Sequence, residues 1–251
     1  MTKSYAKGEG GRGQGRGWEG AVLKLFRAKD FTFTATGAED VTADYRRVRF
    51  TDGGMLAATG VHPTMWVRLW FDNAGKPHQR AYTLVDPDPA AGTFGLEFAL
   101  HEGCAGDWAR TAKPGDTIEA TVQSTRFEEP DPGPSHIVAI GDPASPPAIN
   151  SLLGTLSAAP ATVWFEGVLD GLPFRAEPGR IEVREVPRSG AGAALLERVR
   201  ADPPELLRST PDPYAWIACD TATTRALSAF VRKELGVPKQ RVHALGYRRA
   251  G

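Results

Sequence analysis

The sequence predicts a two-domain β plus α/β chain, an antiparallel β-barrel followed by a doubly wound, parallel α/β domain of Rossmann type. Three observations predict it. Between residues 31 and 122, short runs rich in aromatic and β-branched residues are punctuated by turn residues. The composition then breaks at Glu128-Glu129-Pro130-Asp131-Pro132-Gly133-Pro134, which can continue neither sheet nor helix. Beyond the break, apolar strands alternate with helical stretches over short connections, the pattern of a parallel sheet covered by helices. The implied organisation is a flexible Gly/Arg-rich tail over residues 1–20, a barrel over 21–127, a linker over 128–135 and an α/β domain over 136–251.

Each element has its own signal. In the tail, Gly8-Glu9-Gly10-Gly11-Arg12-Gly13 matches GxGxxG, but no strand precedes it and no helix follows, so it lacks the context of a nucleotide loop. Barrel strands are expected over 31–35, 45–50, 65–71, 80–85, 94–101 and 117–122. Turns at Thr51-Asp52-Gly53-Gly54 and Asp72-Asn73-Ala74-Gly75 end two of them, and one short helix over 107–113 is closed by Pro114-Gly115. Six strands with one helix suit a small antiparallel barrel. In the second half, strands are expected over 136–140, 161–165, 181–186, 215–219 and 241–245. Helices are expected over 146–158, with Ser145 as a candidate cap, over 193–201 and over 222–234.

Composition narrows the function. Among 251 residues, 30 Lys and Arg balance 30 Asp and Glu, so no global field attracts nucleic acid or an anionic membrane, and an anionic ligand needs a local basic patch. Two cysteines without CxxC or Cys/His spacing disfavour a disulfide framework, structural zinc or an iron–sulfur cluster, and fit a reducing interior. No secretory or membrane-spanning apolar run is visible. The expectation is a soluble, cytoplasmic monomer with no nucleic-acid partner, no stable membrane insertion and no protein-bound metal.

The chemistry is concentrated in two segments. Arg80-Ala81-Tyr82-Thr83, followed by Leu84, ends a strand with a cation, an aromatic ring and a hydroxyl close together. His101-Glu102-Gly103-Cys104-Ala105-Gly106-Asp107-Trp108 then carries a glycine-bearing loop into a helix N-terminus. Arg80 offers a planar fork to a phosphate, the Tyr82 ring suits a flavin edge or ribityl chain, and backbone N–H groups from Ala105 to Trp108 suit a pyrophosphate. The pair reads as a site for FAD, with His101 hydrogen-bonding the cofactor rather than acting as acid or base. Plainer readings stand beside these: Arg80 as a surface cation, Tyr82 as a half-buried sheet residue, Trp108 as a packing residue whose neighbouring N–H groups are the ligands.

An antiparallel flavin-holding barrel joined to a doubly wound domain resembles the ferredoxin-reductase-like flavoproteins, and within them the siderophore-interacting proteins. The resemblance rests on Arg80-Ala81-Tyr82-Thr83, on Phe98-Ala99-Leu100-His101 leading to Gly106-Asp107-Trp108-Ala109, and on Ile140-Gly141-Asp142 before Pro147-Ala148-Ile149. It continues through Ala215-Trp216-Ile217-Ala218, Gly236-Val237-Pro238 and Gly246-Tyr247. It implies a cytoplasmic reductase that takes electrons from NADH or NADPH through FAD to a ferric siderophore, releasing Fe(II), with the flavin rather than a side chain carrying the chemistry. It further implies a nicotinamide side formed by Asp142, Cys219 and Asp220, and a substrate seat for an anionic siderophore at Arg68, Arg126, Arg248 and Arg249. On the residues alone, Asp142 contacts nicotinamide or caps the following helix, Cys219 touches cofactor or is a small buried hydrophobe, and the arginines hold substrate or are solvated. Glu166 and Asp170 lean toward NADH.

The chain departs from the family pattern at Gly141-Asp142-Pro143-Ala144-Ser145, where relatives commonly carry Gly-Asp-Glu-Thr-Ala, and at Cys219-Asp220 in place of Gly-Glu. It also has Gly246-Tyr247-Arg248-Arg249 in place of Gly-Tyr-Trp-Arg, and its loop from His101 to Trp108 is short and lacks Gly-Pro-Ala. Flavin binding is thus a firmer expectation than nicotinamide turnover. The rivals are a flavin reductase or electron-transfer module serving another acceptor, and a flavin-bearing binding protein without nicotinamide turnover.

Overall fold

The structure is a computed structural model that describes residues 29–122, 126–175 and 177–247. Its first part comprises β1 (Lys29–Thr42), β2 (Tyr45–Thr51), α1 (Met55–Thr59), β3 (Trp66–Asn73), β4 (Lys76–Thr83), β5 (Val85–Asp88), β6 (Thr93–Ala99), α2 (Cys104–Thr111) and β7 (Thr117–Val122). The strands form one antiparallel sheet ordered β4-β3-β7-β1-β2-β6-β5. Strand β1 does not stop at Ala35, where the expected strand ends; a register shift between Ala35 and Gly37 lets it bend and continue along β2 to Thr42.

The expected strand over 80–85 is two strands. Leu84 donates its N–H to Met65 O at 2.8 Å, and the chain turns there, so Thr83 ends β4 and Val85 begins β5. The two outermost strands of the sheet are therefore joined by one residue, which requires the sheet to curl. The curl closes through side chains, with the Tyr82 ring of β4 4.4 Å from that of Phe98 on β6. Inside, Phe94 meets Phe33 edge-on at 4.8 Å and stacks on Phe50 at 5.5 Å. Helix α1 has no periodic signal because five residues are little more than one turn. The Asp52 carboxylate secures its start by accepting the N–H groups of Gly54 at 2.9 Å and Leu56 at 2.6 Å.

The second part comprises β8 (His136–Gly141), α3 (Pro146–Thr155), β9 (Ala161–Glu166), β10 (Ile181–Val186), α4 (Ala193–Ala201), α5 (Pro203–Ser209), β11 (Pro213–Cys219), α6 (Thr221–Ala229) and β12 (Val242–Gly246). Its parallel sheet runs β10-β9-β8-β11-β12, so the winding reverses between β8 and β11, the switch point at which open α/β sheets take ligands. Side-chain alternation serves two cores. Ile137, Ala139, Phe165 and Trp216 pack with α3 on one face, and Val138, Ile140, Trp164 and Ile217 with α4 and α6 on the other.

Three local expectations are corrected. Helix α3 stops at Thr155, and Ser145 does not cap it; Ser145 is itself in helical geometry and its hydroxyl donates to Asp142 O at 2.7 Å. The helix expected over 222–234 is α-helical only to Ala229 and then opens into a π-helical turn, Phe230–Glu234, with Leu235 N–H reaching Phe230 O at 3.2 Å. Helix α5 is an addition. The proline-rich stretch after residue 128 is tied to the parallel sheet by buried Arg241, whose guanidinium donates to Pro132 O at 2.6 Å and Asp212 O at 3.2 Å. No helix among the described residues is long and apolar enough to cross a membrane.

Candidate functional site

The site has two ends. At the first, α2 begins after Gly103, which sits at φ 121° with no side-chain cap, so the N–H groups of its first turn face outward from an uncapped start. Gly106 lets that turn press onto the preceding loop: a Cβ there would lie 2.1 Å from His101 O. The Arg110 guanidinium braces the same turn, reaching His101 O at 3.3 Å and Asp107 Oδ1 at 3.1 Å. His101 is exposed and its Nδ1 lies 2.8 Å from Glu102 O.

Tyr82 connects this turn to β4. Burial raises its phenol pKa, the Arg80 guanidinium lowers it, and Cys104 at the head of α2 raises it, so the three side chains are electrostatic neighbours. Arg80 and Tyr82 are directly opposite Leu69 and Val67 in the β3–β4 ladder and share their face of the sheet. The Arg80 guanidinium donates to Gln79 O at 3.0 Å. Ala105 is buried, Asp107 is exposed, and Trp108 is a packing residue, parallel to Phe50 at 6.1 Å and in contact with Phe71 and Phe98.

At the second end the two sheets meet. Buried Thr83, beside buried Leu84, faces the hydroxyl of Tyr247, which lies just beyond β12. The Tyr247 pKa is driven up first by burial and then by Asp142 and Cys219, with Thr83 opposing. The buried hydroxyl faces Thr83 without reaching hydrogen-bond geometry and has no hydrogen-bond partner among the described residues. Asp142, at the carboxyl end of β8, is 2% exposed and its Oδ1 accepts Ala144 N–H at 2.9 Å. That turn admits no larger residue at Gly141, where a Cβ would lie 2.0 Å from Ser145 Oγ.

Cys219 and Asp220 follow β11 on the same rim. The Cys219 thiol is buried, lies 3.8 Å from Ile140 O, and has its pKa pushed up by burial first and by Asp142, Glu166 and Asp220 after it. Asp220 caps α6, accepting the N–H groups of Ala222 at 2.8 Å and Thr223 at 3.1 Å. Sequence reasoning missed the group next to Asp142 on β2 and β6. There Tyr45 donates to Glu97 at 3.0 Å, Arg47 Nε donates to the same carboxylate at 3.0 Å, and Asp142 contributes to raising the Tyr45 pKa. These residues come from strands whose alternation is visible, but no spacing marks them as partners.

The arginines expected at the substrate are dispersed among the described residues. Arg68 lies over the Trp66 ring at 5.0 Å, on the face of the sheet opposite Arg80 and Tyr82, and Arg126 is exposed beside the proline-rich stretch. Arg248 and Arg249 lie outside the described residues. Both cysteines are free, and the described residues hold no cluster of three or more His, Cys, Asp or Glu arranged for a metal. The residues present fit a flavin dinucleotide: Arg80 shares its strand with Tyr82, a neighbour of the uncapped start of α2, Gly106 packs that turn tightly onto His101, and the buried Tyr247 hydroxyl has no hydrogen-bond partner among the described residues where the sheets meet.

Comparison with known proteins agrees with that fit. Residues 55–122 match the family model described as the siderophore-interacting FAD-binding domain, and residues 134–251 that of the siderophore-interacting protein. The mycobactin import ATP-binding/permease protein IrtA of Mycobacterium tuberculosis is 34% identical over 247 residues, 94% of this chain, and the chain spans 28% of that protein's length. Ferredoxin--NADP reductase B of Sorangium cellulosum is 28% identical over 209 residues, 72% of this chain and 83% of that protein. Among solved structures, the siderophore-interacting protein of Acinetobacter baumannii superposes with a TM-score of 0.75 at 20% identity, covering 89% of this chain and 92% of the other. Ferredoxin-NADP+ reductase of Plasmodium falciparum superposes at 0.65 and 12% identity, covering 87% and 96%. With its antiparallel and parallel halves matched by the two models, the chain belongs to the siderophore-interacting protein family.

Proposed function

We propose that this chain is a cytoplasmic, FAD-dependent reductase that takes reducing equivalents from NADH or NADPH and delivers them to a ferric siderophore, releasing Fe(II). The observation that carries it is the convergence of Arg80, Tyr82 and the uncapped start of α2, on the same strand β4 whose last residue, Thr83, joins Tyr247 and Asp142 at the junction of the sheets. A bound flavin supplies the passage from a two-electron hydride donor to a one-electron metal acceptor. Arg80 and the first turn of α2 hold its phosphates, Tyr82 orients it, and His101 hydrogen-bonds it. Thr83 and Tyr247 offer hydroxyls at the junction, and Asp142 with the Cys219–Asp220 turn borders the donor's side.

The family name and the mycobactin import named for the relatives support a siderophore as acceptor. The siderophore brings its own oxygen ligands, so the chain needs no iron ligands; Arg68, Arg126, Arg248 and Arg249 have only to attract its negative charge. Reduction weakens the hold of hard oxygen donors on the metal. The match to a ferredoxin–NADP reductase favours a second reading, electron transfer to another acceptor.

Anaerobic stopped-flow spectroscopy separates these. Yellow protein should bleach with NADH or NADPH and recolour on mixing with a ferric siderophore while Fe(II) is trapped by a chelator. Recolouring by ferredoxin or free quinone alone supports the second reading, and bleaching only by dithionite removes the nicotinamide step. Arg80→Ala should release flavin, losing a charged hydrogen bond worth about 1.5–3 kcal/mol; undiminished flavin affinity in that variant takes Arg80 out of the site.

A further inference from the structure

On the outer side of the parallel sheet, α6 carries a stripe that the flavin site does not use. Arg225 and Ser228 of α6 and Arg232 of the following turn recur at steps of three and four residues, which places them on one side of the helix beside Thr224. Together with the strand β12 they line a cavity of about 420 Å³. Its floor is open because β12 presents Ala244 and Gly246 there, and Gly246 lies so close to the helix that a Cβ would sit 2.9 Å from Thr221 Cα.

The π-helical turn Phe230–Glu234 shapes the far end. In this wider turn Arg232 and Lys233 both line the cavity. Such turns are rare and recur at functional sites.

The charges are also uncompensated. Some arginines elsewhere in the same half are paired, Arg180 with Glu177, Arg184 with Glu182 and exposed Arg198 with Asp202. Arg225, Arg232 and Lys233 are exposed, and none is engaged by a carboxylate among the described residues. Thr224 accepts Cys219 N–H at 3.3 Å, which leaves its hydroxyl hydrogen for another acceptor. The groove lies along the edge strand β12, one strand removed from the switch point between β8 and β11.

We propose that this groove binds a soluble anion carrying more than one phosphate, with Arg225 at one end, Arg232 and Lys233 at the other and Ser228 between them. Arg225 and Arg232 are seven residues apart, a rise of about 10 Å along the helix, and their long side chains can each engage a different phosphate of a linked pair, giving such an anion more charged hydrogen bonds than a single phosphate offers. Guanidinium forks match phosphate oxygens, and hydroxyls complete the hydrogen bonding.

Calorimetric titration of the full, flavin-loaded chain tests this with two probes, inorganic pyrophosphate and orthophosphate. Pyrophosphate should bind at least tenfold more tightly than orthophosphate. The double variant Arg225→Ala, Arg232→Ala should lose at least tenfold in pyrophosphate affinity while keeping the parent's flavin content and unfolding midpoint, since both side chains are exposed. A parent indifferent to pyrophosphate, or a double variant that binds it equally well, overturns the site. Co-sedimentation with phosphatidylglycerol vesicles that needs the same two arginines, without pyrophosphate binding, overturns the soluble ligand in favour of a lipid headgroup.

Discussion

The two cysteines show how differently one side chain behaves at two positions. Cys219 is buried beneath Ile140 O with its pKa pushed up by burial and neighbouring carboxylates, whereas Cys104 is half-buried at the head of α2. Because the thiolate is the nucleophile, a thiol reagent at pH 7.5 should modify Cys104 rapidly and Cys219 only after unfolding in urea. Counting released chromophore and mapping the label by mass checks this; native labelling of both at one rate would place Cys219 at the surface. The sequence shows the strand that carries Cys219 and the Asp220 cap that follows. It offers the thiol as a small buried hydrophobe or as a cofactor contact, and the structure places it in the core at 1% exposure, as expected of a strand covered on both faces. Tyr247 was illegible as a junction residue: it lies past the last strand, where no periodicity reports on contacts.

At the scale of elements, legibility followed length and periodicity. The long strands and helices α3, α4 and α6 are readable because their apolar spacing repeats, and five-residue α1 is not because it holds scarcely one repeat. The division at Leu84 was hidden for the same reason: an unbroken β-type run looks alike whether it serves one strand or two. The start of α2 makes the sharpest demand on sequence. Gly106→Ala would drive a Cβ to 2.1 Å from His101 O, so the turn must move, and overpacking of this kind costs about 1–3 kcal/mol. The variant should unfold at a lower denaturant concentration and retain less flavin after gel filtration. Normal stability together with normal flavin content would show that the turn has room to give.

For the whole molecule, acid sensitivity should come first from histidine. His136, with Nε2 3.0 Å from Thr162 Oγ1, has its pKa lowered by burial, with Glu182 opposing. His243, stacked on Trp216 at 3.9 Å, is also lowered by burial. The unfolded chain binds protons on both at a higher pH than the folded chain does. Their contribution is therefore complete above the ordinary histidine value of about 6.5 and is lost as pH falls through the folded values. Glu177, held to about 2 chiefly by its hydrogen bond from Arg180, titrates in a separate, far more acidic range. Urea midpoints should be level from pH 8 to 7 and decline by pH 5.5, and His136→Asn with His243→Asn should flatten that decline. An equal decline in the double variant would assign it to other groups.

The curl of the antiparallel sheet has one more consequence. Its outermost strands, β4 and β5, are consecutive in the chain, and the gap between β4 and β6 is bridged by the Tyr82 and Phe98 rings rather than by a backbone ladder. The cylinder therefore has a zip-like slit on one side. Beside that pair of rings, Trp108 contacts both Phe71 and Phe98, so aromatic packing closes this side. Leu84 is the pivot, pinned by its single bond to Met65, and the slit opens onto the stretch of β4 that carries Arg80 and Tyr82. A barrel built this way is held by side-chain packing along the face of β4 that carries Arg80 and Tyr82, and by backbone ladders between its other neighbouring strands.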